Sequence, residues 1–327
     1  MSYRQPAEWA PHEWVWIGFP SHEELWQEDL DDAREEVIAF ARAIHAGGAG
    51  EEVRLVAAHG EAVAAARRLA GDAAVVVEEP FGDIWLRDTG PIVLKGPGGR
   101  RRAALFHFNG WGYKYTLEGD DRVGRGLALQ AALATSGHEW VFEGGALDVD
   151  GTGLAVTTEQ CLLNPNRNPG LPREAIEARL RDDLGVSRLL WLGDGLLNDH
   201  TDGHVDNLAR FVAEGTLALP VAEGDDDPNA EVYEDARRRA EAFGLDVAPL
   251  PSPGRVLRDG AVIPASYMNF YIGNAAVVVP LYGASNDEAA VEAVGALFPG
   301  RRAVGFRADH ILTGGGSFHC ISQQVPR

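Results

Sequence analysis

From Leu30 to Ala46 apolar residues recur at close to helical spacing, with Asp31 and Asp32 at the start, which predicts an amphipathic helix. Further helices are predicted over Glu61 to Leu69, Arg122 to Thr135, Arg173 to Asp183, Ala230 to Phe243 and Asp287 to Leu297. Short apolar runs predict strands at Val53 to Ala57, Ala74 to Glu78, Ala103 to Phe108, Gly153 to Thr157, Leu189 to Leu192 and Ala275 to Pro280. Strands and helices alternate along the whole chain, which places it in the α/β class. No Ser/Pro-rich linker divides it, and Gly224 to Asn229 reads as a surface turn. One catalytic domain spanning residues 1–327 is expected, because α/β folds of this length form single domains. Self-similarity is too weak to count repeats.

Composition narrows the function classes. No apolar run reaches roughly 18 residues, so no membrane-spanning helix is expected. The start, Met1-Ser2-Tyr3-Arg4-Gln5-Pro6, lacks the apolar core of a secretory signal. The two cysteines, Cys161 and Cys320, form neither a disulfide framework nor a Cys-x-x-Cys pair. That fits a reducing cytoplasm and gives no structural zinc site. A net charge of −20 repels nucleic acid and anionic membranes, and it suits a small cationic partner over a phosphorylated one. Solubility alone also explains such a charge. No Gly-x-Gly-x-x-Gly or Walker loop is present, so no nucleotide cofactor is indicated. Homo-oligomerisation is left open.

The candidate chemistry lies in four segments. Cys320 follows Gly314-Gly315-Gly316, where a backbone can approach a ligand closely, and the thiol reads either as a nucleophile or as a buried structural cysteine. His200, Asp202, His204 and Asp206 alternate, so an extended strand would put all four on one face. There they would bind a divalent metal, supply an acid/base imidazole with a cation-holding carboxylate, or form a solvated edge. Asp88 sits in Trp85-Leu86-Arg87-Asp88-Thr89-Gly90-Pro91, which reads as a strand end entering a turn, with Trp85 as a nearby aromatic wall. Glu143 precedes Gly144-Gly145 behind Val141-Phe142 and is expected to be partly buried and paired. Trp111, in Asn109-Gly110-Trp111-Gly112-Tyr113, offers a second wall for a cationic stem. Cys161, beside Leu162-Leu163, reads as packing, and His107, His138 and His310 read as structural or surface residues. A thiol and an imidazole with several carboxylates suit covalent attack on a cationic electrophile, and a guanidinium is the natural choice.

These segments resemble the guanidine-modifying, or pentein, superfamily, most closely the agmatine deiminases, which are related to bacterial-type peptidylarginine deiminases. The resemblance spans nearly the whole chain, from Pro6-Ala7-Glu8-Trp9-Ala10-Pro11-His12-Glu13 through Leu162 to Pro169 and Asn198 to Asn207, closing at Gly314 to Gln324. It implies a five-bladed α/β propeller around a central site and a cysteine hydrolase without cofactor or metal. By motif it implies Cys320 as nucleophile, His204 as general acid/base, Asp88 and Asp206 as guanidinium ligands, and Glu143 as the carboxylate orienting His204. Trp85, Trp111 and Gly316 would complete the substrate pocket. The chain departs from the usual pattern at Gly110, Tyr113, His200 and Ser317-Phe318, positions expected to line the pocket for the substrate's tail.

The implied reaction converts agmatine and water to N-carbamoylputrescine and ammonia. The rivals are deimination of arginine or peptidyl-arginine, a metallohydrolase built on His200, Asp202, His204 and Asp206, and a non-catalytic binder of cationic amines.

Overall fold

The computed structural model describes residues 3–327. Met1 and Ser2, part of the N-terminal segment considered above, lie outside the described residues. Five sheets share one topology. In each, an antiparallel pair leads into a helix and then a parallel strand. Ile92–Lys95 pairs antiparallel with Arg101–His107, and after helix Val123–Gln130 the strand Ala134–Val141 returns parallel. Asp148–Val149, Leu154–Thr158, Arg173–Leu184 and Arg188–Leu192 repeat the pattern. So do Arg210–Ala213, Thr216–Val221, Ala230–Phe243 and Asp246–Pro251. Tyr271–Ile272, Ala276–Leu281, Asp287–Leu297 and Arg302–Arg307 repeat it again. A parallel strand needs a crossover to return, and the helix supplies it.

The fifth of these sheets joins the two ends of the chain. Ser322–Pro326 pairs antiparallel with His12–Gly18, which runs parallel to Glu52–Ala57 after helix Leu30–His45. Val75–Glu78 adds a fourth, parallel strand beyond helix Gly60–Ala70. Apolar side chains between helices and sheets form three clusters. One of them joins Trp16, Phe40 and Phe318.

The predicted helices are all present, with one correction. The helix predicted to run to Thr135 stops at Gln130, and Ala134–Val141 is a strand. Ala132 turns the chain with a φ of 52°, and Ala134 then pairs with Arg102. Helical propensity of the alanine-rich stretch is overridden by sheet pairing.

Each of the five units is preceded by a short tight segment. These are Leu86–Thr89, Gly144–Ala146, Val205–Asn207, Tyr267–Asn269 and the turn at 318–321. Consecutive segments touch one another, from Leu86–Thr89 to Tyr267–Asn269. The His319 N–H donates to the Asn269 carbonyl, and the Arg87 N–H donates to the Cys320 carbonyl. Those two bonds close the ring. The chain therefore places one loop from every unit at a common centre.

Buried charge pins this centre. Glu8 accepts from the Ile272 N–H at 2.8 Å and lies 3.0 Å from Arg210 Nη2 and 3.3 Å from Arg87 Nη2. Arg210 Nε also donates to Asp148 at 2.6 Å. The Arg210 guanidinium lies over the Phe270 ring, 5.0 Å from its centroid. Among the described residues, no helix is long and apolar enough to cross a membrane.

Candidate active site

Cys320 and Asp206 meet at the centre of the ring. The Cys320 Sγ lies 3.6 Å from Asp206 Oδ2, and both residues are buried. Asn269 fixes the turn that carries the thiol. Its Oδ1 accepts from the His319 and Cys320 N–H groups, and its Nδ2 donates to Cys320 Sγ at 3.0 Å. Asp206 accepts in turn from His319 Nδ1 at 2.7 Å, and His319 Nε2 faces Glu8 at 2.8 Å. Both ring nitrogens therefore face carboxylates.

The alternation from His200 to Asp206 does not form a strand, which corrects the expectation that these four share a face. Asp202 has a φ of 64° and Gly203 of 84°, so the segment is a turn. Asp199 Oδ1 accepts from both the N–H and the hydroxyl of Thr201, whose hydroxyl oxygen accepts from the His204 N–H. Such short polar side chains compete with a ladder for backbone partners. His204 and Asp206 consequently point into the centre, while Asp202 pairs outward with Lys114 and Arg167. The metal-binding face assumed for the metallohydrolase rival is absent among the described residues.

Asp88 is another correction, because Leu86–Thr89 is a single helical turn and not a strand end. Its Oδ1 accepts from the Gly145 N–H at 2.8 Å and its Oδ2 from Trp111 Nε1 at 3.0 Å. Oδ2 also lies 3.7 Å from His204 Nδ1. Glu143 is paired, as expected, and is fully and not partly buried. Its Oε1 accepts from Arg167 Nε at 2.7 Å, and its Oε2 lies 4.0 Å from His204 Nε2.

Electrostatics separate the groups. Burial, reinforced by the Asp206 and Asp88 carboxylates, pushes the Cys320 thiol well above its usual range. Burial disfavours the His204 cation, but Asp88, Cys161 and Glu143 outweigh it and hold the imidazole well above its ordinary value. Burial raises Asp88 despite the neighbouring His204. Burial also opposes ionisation of Asp206, yet the His319 contact keeps that carboxyl below its usual range.

A cavity of about 220 Å³ opens onto this centre, lined by Asp88, Trp85, Trp111, Gly316 and Cys320, and also by Trp26, Asp83, Tyr115 and His200. Its lining includes no lysine or arginine. Asp83 holds two of its walls by accepting from the Trp26 and Trp85 indole N–H groups. Gly314 and Gly316 lie flat on Trp85, where a Cβ would come within 2.4 and 2.7 Å of the indole. Of the departures from the family pattern, His200 lines the cavity. Tyr113 is exposed and Gly110 is buried under Tyr115, so neither lines it. Ser317 and Phe318 are buried too, with Phe318 stacked on Phe40 at 4.8 Å. Those four positions do not form the tail pocket.

Gly145 is excluded from substitution by space. A Cβ there would lie 2.6 Å from His204 Nδ1, 2.9 Å from Asp88 Oδ1 and 3.1 Å from Asp206 Oδ2. Gly145→Ala is expected to lower kcat/KM by about a hundredfold or more, because small displacements of reacting groups cost that much. Steady-state kinetics beside an unchanged circular dichroism spectrum check this.

Sequence reasoning missed Asn269 and gave no role to Glu8, Arg87, Arg167 or His319. Glu8, Arg87, Arg167 and His319 lie inside the motifs noted above, and that was their only signal. Asn269 stands in Ser266-Tyr267-Met268-Asn269, which carries none.

The comparisons with known proteins match this geometry. The family model for Porphyromonas-type peptidyl-arginine deiminase matches residues 4–326. The chain belongs to that family. The agmatine deiminase of Stutzerimonas stutzeri is 37% identical, over 99% of this chain and 95% of its own length. The structure of an Enterococcus faecalis agmatine deiminase superposes with a TM-score of 0.91 at 33% identity, covering 99% of this chain and 96% of the other. A cysteine-to-serine variant of C. jejuni agmatine deiminase, solved with substrate bound, gives a TM-score of 0.93 at 27% identity, covering 100% and 97%.

Proposed function

We propose that this protein hydrolyses agmatine to N-carbamoylputrescine and ammonia through a covalent amidino adduct on Cys320. One observation carries the reading. A thiol, an imidazole and two carboxylates converge at the end of a cavity whose lining has no lysine or arginine. Asp88 and Asp206 bind the guanidinium, and its charge offsets the two carboxylates that hold the thiol up. The thiol then loses its proton to solvent, and the thiolate attacks the guanidinium carbon. His204, held as the cation, protonates the departing nitrogen, which leaves as ammonia. Neutral His204 next takes a proton from water as its oxygen attacks the thiouronium carbon. Collapse of that adduct breaks the C–S bond, and the hydroxyl proton passes to the departing sulfur, which leaves the ureido product and restores the Cys320 thiol. Glu143, fixed by Arg167, orients the imidazole.

Relatives of this chain are named agmatine deiminases, which supports the same substrate. Free arginine fits less well, because its α-carboxylate finds no lysine or arginine in the lining. We place the enzyme in the cytoplasm, consistent with its two free thiols. The whole chain acts as one catalytic domain, since all five units contribute to the ring.

Ammonia release from agmatine, arginine and blocked arginine, measured with a chelator present, tests the reading. Agmatine is expected to be turned over far faster than the other two. Faster release from either arginine substrate would reassign the substrate. Loss of activity on chelation would favour a metal enzyme, and tight agmatine binding without ammonia would indicate a binder only.

A further inference from the structure

Cys161 is more than packing. It is fully buried within an apolar cluster, as its sequence context suggested. Its thiol also belongs to a group with Glu143 and His204, in which one ligand atom from each residue lies within 4.8 Å of the others. Two further observations point to a ligand. Glu143 Oε2 and His204 Nε2 lie 4.0 Å apart, and both are buried without a hydrogen-bond partner. Buried polar atoms are ordinarily satisfied, so two unpartnered atoms facing each other beside a thiol call for an explanation. Arg167 engages Glu143 through Oε1, which leaves Oε2 turned to the group.

Thiolate, imidazole and carboxylate together form a donor set that zinc and its heavier congener accept. Such donors stand roughly 2.0–2.3 Å from a bound zinc ion, so these three must close in by on the order of an ångström. We propose that Cys161, His204 and Glu143 form a site for a thiophilic divalent cation, and that filling it inhibits the enzyme. Binding releases the Cys161 proton to solvent. The ion occupies a ring nitrogen of His204, which then cannot give a proton to the leaving ammonia or take one from water. The metal is an inhibitor here, with no part in turnover. Cys320 does not belong to this group and is not among its ligands. The inhibitory consequence rests on the role proposed for His204, while the site itself does not.

The test uses the Cys320→Ser protein, whose only thiol is Cys161. Titrating it with cadmium chloride after chelator treatment is expected to give a stoichiometric thiolate-to-cadmium absorption band, and zinc chloride should displace it. In the wild-type enzyme zinc should inhibit ammonia release, and chelator should restore it. Cys161→Ala is expected to weaken that inhibition by about tenfold or more, as losing a metal contact does. Absence of the band in folded Cys320→Ser protein would overturn the site. So would a Cys161→Ala enzyme as zinc-sensitive as wild type, because the metal would then sit on the nucleophile. Failure of the agmatine reading would leave the cadmium band unchanged, so the two proposals fail separately.

Discussion

Cys320→Ser is expected to lower turnover by about four orders of magnitude or more while agmatine still binds. Removing a nucleophile from a cooperating set costs at least that much. A serine hydroxyl is far less acidic than a thiol, and the same carboxylates that hold the thiol up oppose an alkoxide still more. The fold should persist, because the turn at 318–321 is held by Asn269 and by Phe318 on Phe40, and not by the sulfur alone. Acid-quenched wild-type reactions should carry an amidino adduct on the Cys320 peptide, and the serine variant should carry none. The raised thiol has a second consequence for the free enzyme. Inactivation by a neutral alkylating reagent should keep accelerating with pH beyond the ordinary cysteine range near about 8.5. An active serine variant, or an adduct mapped to Cys161, would overturn the assignment.

Different parts of the protein were legible in the sequence to different degrees. Helices Ala230–Phe243 and Asp287–Leu297 run as their periodicity predicts, because each presents one apolar stripe to its own sheet. His12–Gly18 gave no alternation to read, since both of its faces are buried. Asp148–Val149 is too short for any period to register. Internal self-similarity did not reveal the fivefold plan, which came from the family resemblance alone, because the units share topology and not residues. The five loops that build the site are likewise unalike, apart from each preceding the first strand of a unit. Motif resemblance found Cys320, His204, Asp88, Asp206 and Glu143, and all five lie at the centre. Spacing misplaced His200 and Asp202, because Asp199 and Thr201 bend the chain with side-chain bonds that a two-residue period ignores. The proximity of Cys161 to His204 arises from packing between units, which no local pattern encodes.

Asp88→Asn tests the guanidinium grip most sharply. The substitution keeps the size of the side chain and removes its charge. Asp88 accepts from Gly145 N–H through one oxygen and from Trp111 Nε1 through the other. Asparagine retains one acceptor and turns an amide N–H₂ toward the second donor, so one contact becomes a donor–donor conflict. Losing a desolvated charge partner costs roughly 2–5 kcal/mol, or roughly 30- to several-thousand-fold in kcat/KM. A second readout separates grip from mere packing. The Asp88 carboxylate helps hold the His204 imidazolium against the effect of burial. Without it the imidazole loses its proton at lower pH, so the alkaline limb of the kcat/KM profile should move toward acid. Asp202→Asn should do much less, because Asp202 faces Lys114 and Arg167 and lies outside the cavity lining. A metal enzyme built on His200, Asp202, His204 and Asp206 would reverse that order and lose activity to a chelator. An Asp88→Asn enzyme with near-wild-type kinetics and an unmoved alkaline limb would remove Asp88 from the site.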